Sequence, residues 1–420
     1  MPASSPTALT LLRRIMRTVW VRAVVFTVAA VLFALAAGVV GSIIPFELRV
    51  ELGQNSVDSL LQIVATAMLT ATTFSITAMV TAYSSATTIA TPRSTKLLIT
   101  DPTSQNALST FVGAFVFALV GIIALSTGYY TEQGRTILFF GTLIVIALIV
   151  VTLLRWIGHL ARFGRMADVI DRVEDAATRT LVAYAKHPTL GARELQAVPA
   201  DAFPVAALEG EYVLSVDVAR LDALAAKHRC DFFVTAIPGT IADRRHPLVH
   251  VRGVLTDEIE SGIRSAFVLG RHRDYDQDPR LGVIALAEIG SRALSPSTND
   301  PGTAIEVLAA LQRVFTAAMR SRERNESIDH QHVWMARPRV DELAEDAFRP
   351  LARDGAGLVE VQIRLQKCLL ALRDIAPDEA DAFNRMAADA SRRAATRLDR
   401  SERRAVRSAL SSQPVRDVSS

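Results

Sequence analysis

The sequence predicts an α-helical integral membrane domain with four transmembrane helices, followed by a mostly α-helical cytoplasmic domain carrying a small barrel-sandwich-like β module. Three observations carry that expectation. Four long runs without charge crowd into the first 158 residues, each near or above the length needed to cross a bilayer. Most Asp, Glu, Lys and Arg residues come afterwards. Near residue 211 the apolar period changes from helical to strand-like and then back. Half of the 420 residues are apolar and the mean hydropathy is +0.26, too apolar for an ordinary soluble protein and too charged for an all-membrane one. A formal net charge of +3 gives no case for nucleic acid as a partner. Cys230 and Cys368 stand far apart without metal-ligand spacing, which fits a reducing compartment.

Residues 1–158 are read as the membrane domain, with spans at about 23–46, 59–90, 105–128 and 136–155. Arg13, Arg14, Arg17 and Arg22 precede the first span. Ala34-Leu35-Ala36 resembles a signal cleavage site, but the apolar run continues through Ile44 and three more runs follow, so it is read as uncleaved. Ala30, Ala34, Gly38 and Ser42 recur every four residues and suit close helix packing. Tyr129-Tyr130 suits a membrane interface. The basic residues lie in the N-terminal segment, in the second loop (Arg93, Lys96) and after the fourth span (Arg155, Arg162, Arg165). The positive-inside rule then places both termini in the cytoplasm of a multi-pass membrane protein.

The second span is unusual. It has no charge from Ser59 to Pro92, yet Thr66, Thr70, Thr73, Thr77, Thr81, Ser84 and Thr88 follow steps of three and four and share one helical face. That stripe is roughly 33 Å long, about one hydrocarbon core. Two readings stand open. The hydroxyls pack helices, each bonding to its own backbone or to a neighbour. Alternatively they line a wet, uncharged path; one chain of four spans is too small to enclose it, so that reading requires a homo-oligomer.

Residues 159–205 read as a helical stalk and linker, ended by Pro188, and 206–254 as the β module. Within the module, Glu211–Asp217, Asp231–Ile237 and Leu248–Val251 are strand-like around a helical pattern at Val218–His228. The order resembles lipoyl and biotinyl carrier modules, but no lysine stands at a hairpin tip, so no prosthetic group or other cofactor is expected. Residues 255–411 read as helical, with Thr256–Leu269 an amphipathic helix, and 412–420 as a disordered tail.

Two blocks, 70–119 and 273–304, resemble the bacterial predicted membrane proteins grouped as domain of unknown function 2254. The matching positions are Phe74-Ser75-Ile76, Thr91-Pro92-Arg93, Gln277-Asp278, Leu294-Ser295-Pro296 and Asn299-Asp300-Pro301. Threonine replaces the family's serine at position 91, leaving the helix-ending role of Pro92 intact. The resemblance covers roughly residues 15–375 and implies no activity.

Asp276, Gln277, Asp278, Asn299 and Asp300 can be drawn as a cation site, or as caps and loop ligands, with Asp300 capping a helix that has Pro301 at its first position. His246/His250 and His330/His332 lack acidic or Cys companions at a metal spacing, so no metal is expected. Arg393, Arg397, Arg400, Arg404 and Arg407 share one face of a late helix and can meet anionic lipid headgroups or water. No phosphate loop, nucleophile elbow or HExxH occurs, so no catalytic residue is assigned. The leading expectation is an oligomeric channel or pore-like protein with a cytoplasmic assembly or gating domain. The alternative is a non-conducting membrane scaffold or sensor, and a membrane-bound enzyme comes third.

Overall fold

The computed structural model describes residues 19–43, 56–89, 91–99, 101–161, 165–322 and 328–411. The chain divides into two compact units, Met1–Asp168 and Val169–Ser420.

Among its described residues the first unit has helices as its regular elements: α1 (Val19–Ile43), α2 (Ser56–Ile89), α3 (Pro92–Ile99), α4 (Pro102–Ser126) and α5 (Glu132–Leu160). Three described stretches, Ser56–Ser85, Pro102–Ser126 and Glu132–Leu160, are long and apolar enough to cross a membrane. The expectation of four spans is met by these three alone; in α1 the described apolar stretch, Val24–Val39, is shorter than a span. α4 is central and packs against α1, α2 and α5. Its buried Phe111 and Phe117 meet Ala34, Leu61, Met68 and Leu138 in one core. The small-residue stripe of α1 does pack: a β-carbon on Gly38 would run into the Tyr129 ring, and the Tyr130 hydroxyl donates to the Ala34 carbonyl at 2.7 Å. Pro92 does more than end α2, because it opens α3.

In the second unit, α6 (Met166–Lys186) leads to β1 (Ala192–Glu194), β2 (Phe203–Val205), β3 (Glu211–Val216), α7 (Val218–His228), β4 (Asp231–Val234), β5 (Ile241–Ala242), β6 (Val249–Arg252), α8 (Asp257–Ser265) and β7 (Phe267–Gly270). Then come α9 (Leu281–Ala293), α10 (Pro301–Arg320), β8 (His330–Met335), α11 (Val340–Asp354), α12 (Val359–Ile375), α13 (Ala380–Ala395) and α14 (Arg400–Ser411).

The strands do not form the barrel-sandwich expected over 206–254. They make a five-stranded sheet, β1-β8-β4-β6-β2, and a three-stranded sheet, β5-β3-β7. The larger sheet recruits β1, β2 and β8 from outside that range, and β8 pairs in parallel with both β1 and β4. Parallel neighbours need a crossover rather than a hairpin, so this sheet joins distant segments. The helix expected at Thr256–Leu269 stops at Ser265, and Phe267–Gly270 crosses over to pair with β3. One sheet face buries Phe232, Val234, Val249, Val251, Val333 and Met335. The helices α9 to α13 build a second layer around Leu286, Leu311, Phe315, Phe348 and Leu365.

Candidate functional site

The hydroxyl stripe of α2 faces away from its own bundle. Val57, Leu61, Val64, Met68 and Ser75 are buried, and they define the face of α2 that meets the rest of the unit. Thr66, Thr70, Thr73, Thr77, Thr81 and Ser84 are all exposed. At about 100° per residue they centre roughly opposite that buried face. The Thr88 side chain lies outside the described residues. Packing within one chain is therefore not what the stripe does.

Its donors are nonetheless satisfied locally. The hydroxyls of Thr66, Thr70, Thr73, Thr77 and Thr81 each donate to the carbonyl four residues earlier, at 2.9–3.0 Å. What they present outward is therefore methyl groups and oxygen lone pairs.

A groove of about 970 Å³ runs along one flank of the stripe, between α2 and α5. Ile63, Thr66, Thr70 and Phe74 form its α2 wall; Leu153, Trp156 and Ile157 form the other. Phe74 of the Phe-Ser-Ile element is 62% exposed and Ser75 only 2%, and both border the groove. Trp156 is also 2% exposed, and its indole Nε1 has no hydrogen-bond partner.

Asp101, Ser104 and His159 meet where α4 begins and α5 ends. Asp101 caps α4, accepting from the Ser104 amide and the Ser104 hydroxyl at 2.7 Å each. His159 Nε2 lies 3.1 Å from Asp101 Oδ2 and 3.4 Å from Ser104 Oγ. The residue types are those of a hydrolytic triad, but the geometry differs. Both the carboxylate and the hydroxyl address the same ring nitrogen, whereas a relay needs one on each side of the ring. The cluster ties two helix ends together.

In the second unit, the 273–281 loop is a junction. Asp278 is 2% exposed and takes a bidentate pair from Arg273 at 2.6 and 2.8 Å. It also accepts from the amides of Arg280 and Leu281, which caps α9. Gln277 accepts from the Val216 amide at 3.1 Å, fixing the loop to β3. The Thr180 hydroxyl donates to the Tyr275 carbonyl, fixing it to α6, and Arg280 reaches Asp346 and Glu342 of α11. Burial, followed by the nearby Asp278 charge, pushes the Tyr184 phenol well above its ordinary range.

The second motif cluster lies at the far end of α9. Asp300 caps α10, accepting from the Thr303 amide and hydroxyl, with Pro301 in the first turn. Asn299 sits at φ +47° and donates its amide to the Ser295 carbonyl, while Pro296 is exposed on the turn. The 13 residues of α9 put about 20 Å between the two clusters. The single cation site drawn from Asp276, Gln277, Asp278, Asn299 and Asp300 is therefore ruled out.

A family model described as predicted membrane protein (DUF2254) matches residues 16–371, which includes the α2 stripe and both motif clusters. The chain belongs to this family of predicted membrane proteins. Uncharacterized proteins of Mycobacterium bovis and Mycobacterium tuberculosis are 25% identical to it over 234 residues, 52% of this chain and 44% of theirs. The match thus spans less than half the length of these relatives. No solved structure matches the chain.

Other residues singled out in this DUF2254 sequence fall in separate places. His246 pairs with Asp243 in an exposed turn, whereas His250 stands on β6 with burial lowering its imidazole pKa. His330 and His332 approach Asp222 and Asp231 at 3.8 Å each. No group of three or more His, Cys, Asp or Glu residues able to hold a metal occurs among the described residues. The five late arginines do not share one helix: α13 ends at Ala395 and α14 begins at Arg400. Asp399 and Glu402 start α14 with a capping box, and Arg393 is tied to Asp389 at 2.7 Å. A cavity of about 320 Å³ near Tyr184 is lined by Arg322, Arg339, Arg385, Asp341 and Glu379, which already pair with one another. Sequence reasoning missed Trp156 as a groove residue. The available signal was a tryptophan beside Arg155 near the end of a span, where such rings settle at headgroup depth.

Proposed function

We propose that the chain is one subunit of a homo-oligomeric, pore-like protein of a bacterial inner membrane, with the hydroxyl face of α2 bordering a hydrated path. The observation behind the reading is the outward turn of Thr66, Thr70, Thr73, Thr77, Thr81 and Ser84. Hydrocarbon offers nothing to their lone pairs, whereas water or a neighbouring copy does. A stripe pointing out of the bundle needs several copies to enclose anything. The absence of charge along it argues for weak ion selectivity. In this proposal α1 is the first of four spans, and both termini and the second unit are cytoplasmic, following the basic loops. The second unit then serves assembly or gating, and the exposed Arg400, Arg404 and Arg407 of α14 are available to anionic headgroups. No catalytic step or cofactor belongs to the reading.

A non-conducting scaffold or sensor is the second reading, favoured by one observation. The threonine protons are already bonded to the helix, so the face can pack dry against another copy. Sizing in detergent combined with ion flux in liposomes separates the two. A ring that conducts, with conductance altered by Thr73→Val or Thr77→Val, supports the pore. A ring without flux supports the scaffold, and a monomer without flux removes both.

A further inference from the structure

We infer that the cavity of about 320 Å³ between α6, α10, α11 and α13 is a binding site for a free α-amino acid with an apolar side chain. All four helices lie in the second unit, so the site is complete within it. The volume is at the lower end of the range for small-molecule sites, roughly 300–1,000 Å³, which suits a ligand of this size. Its floor is apolar, formed by the buried Leu181, Ala318, Leu343 and Ala382. Its rim is charged, with four arginines (Arg322, Arg337, Arg339, Arg385) and four acidic residues (Asp341, Asp378, Glu379, Asp381).

Those charges balance in number but not in pairing. Arg339 takes Asp341 bidentately at 2.6 and 3.0 Å, which leaves Arg385 at 3.5 Å from the same carboxylate. Arg322 holds Glu379 at 2.9 Å. Asp378 and Asp381 make no ion pair among the described residues, although Asp381 stands one turn before Arg385 on α13. The rim thus offers one loosely held guanidinium and two unpaired carboxylates. A free anion would suit the first and be repelled by the others, and a simple cation would meet the reverse. A zwitterion satisfies both and brings no net charge to a balanced rim. Its carboxylate fits the planar fork of Arg385, its ammonium fits Asp381 or Asp378, and its side chain covers the floor.

The test is titration calorimetry on the full chain in detergent, where neither oligomer size nor flux enters. The probes are L-leucine, L-methionine and L-phenylalanine, and saturable binding of at least one, about one per chain, is expected. For that amino acid, the amine lacking the carboxylate and the acid lacking the ammonium should each bind at least about tenfold more weakly. That is the effect of losing one hydrogen bond between charged groups. Arg385→Gln should weaken the amino acid by a similar factor and leave the amine unchanged. Asp381→Asn should weaken it likewise and leave the acid unchanged. Both side chains are exposed, so both variants should keep the thermal midpoint of the unliganded protein. No binding by any of the three probes, or equal binding in both variants and the parent, would overturn the assignment. Inorganic phosphate binding more tightly than the amino acids would also overturn it, making the cavity an anion site.

Discussion

A β-carbon on residue 239 would lie 2.5 Å from an oxygen of the Asp278 carboxylate, so Gly239 and Asp278 can approach only because residue 239 has no side chain. Gly239 also has φ +93°, a conformation L-residues avoid. Gly239→Ala therefore meets two penalties at once, and each alone costs about 1 kcal/mol. The expected result is a thermal midpoint lower by at least about 4 °C. An unchanged midpoint would show that the turn and the 273–281 loop can separate freely.

Asp278 has more to lose than Gly239. Its side chain is 1% exposed, and Arg273, at 16%, has it as its bidentate partner. Asp278→Asn leaves a largely buried guanidinium without its counter-charge and weakens the α9 cap. Breaking one side of such a pair typically costs about 3–5 kcal/mol. Denaturant midpoints should drop accordingly, and the double variant Asp278→Asn/Arg273→Met should recover part of the loss. No recovery would locate the damage in the cap rather than in the charge pair.

Asp300 offers a milder case. It is exposed, and its hydrogen bonds from Thr303, side chain first and then amide, hold its carboxyl below the usual range. A folded-state pKa below the unfolded one means that stability is present above about pH 3.9 and lost as pH falls through the folded value. Asp300→Ala should cost about 1 kcal/mol at neutral pH. Measured below pH 3, the same comparison should show a smaller difference.

Helices with a clear apolar period were legible, and so was the existence of the hydroxyl stripe. Its direction was not. Periodicity says that seven residues share a face but not what that face meets, and the answer came from Leu61, Met68 and Ser75 being buried on the other side. Strands at Glu211–Val216, Asp231–Val234 and Val249–Arg252 were legible too, whereas others were not, for a different reason. Phe267–Gly270 is a strand because β3 lies beside it, and nothing local distinguishes it from the last turn of the preceding helix. β8 alternates well, His330 to Met335, but its partners Ala192 and Phe232 are about a hundred residues or more away in sequence. The capping roles of Asp300 and Pro301 were readable because capping is local chemistry.

Cys368 supplies a pH-dependent prediction of the opposite sign. Burial pushes its thiol up to about 12, against a small lowering by Arg364. A thiol raised on folding stays protonated in the native state while the unfolded chain ionises from about pH 8.5. Between that value and about pH 12 the native state therefore holds the extra proton, and stability falls as pH rises. Cys368→Ala should flatten the decline between about pH 9 and 11 in denaturant titrations, whatever its effect at neutral pH. The same burial should keep Cys368 nearly inert to a thiol reagent at pH 8 until the protein is unfolded, because the thiolate is the reacting species. Rapid labelling of native Cys368 would mean that the α12 face carrying Leu365, Cys368 and Leu372 opens on the timescale of the reagent.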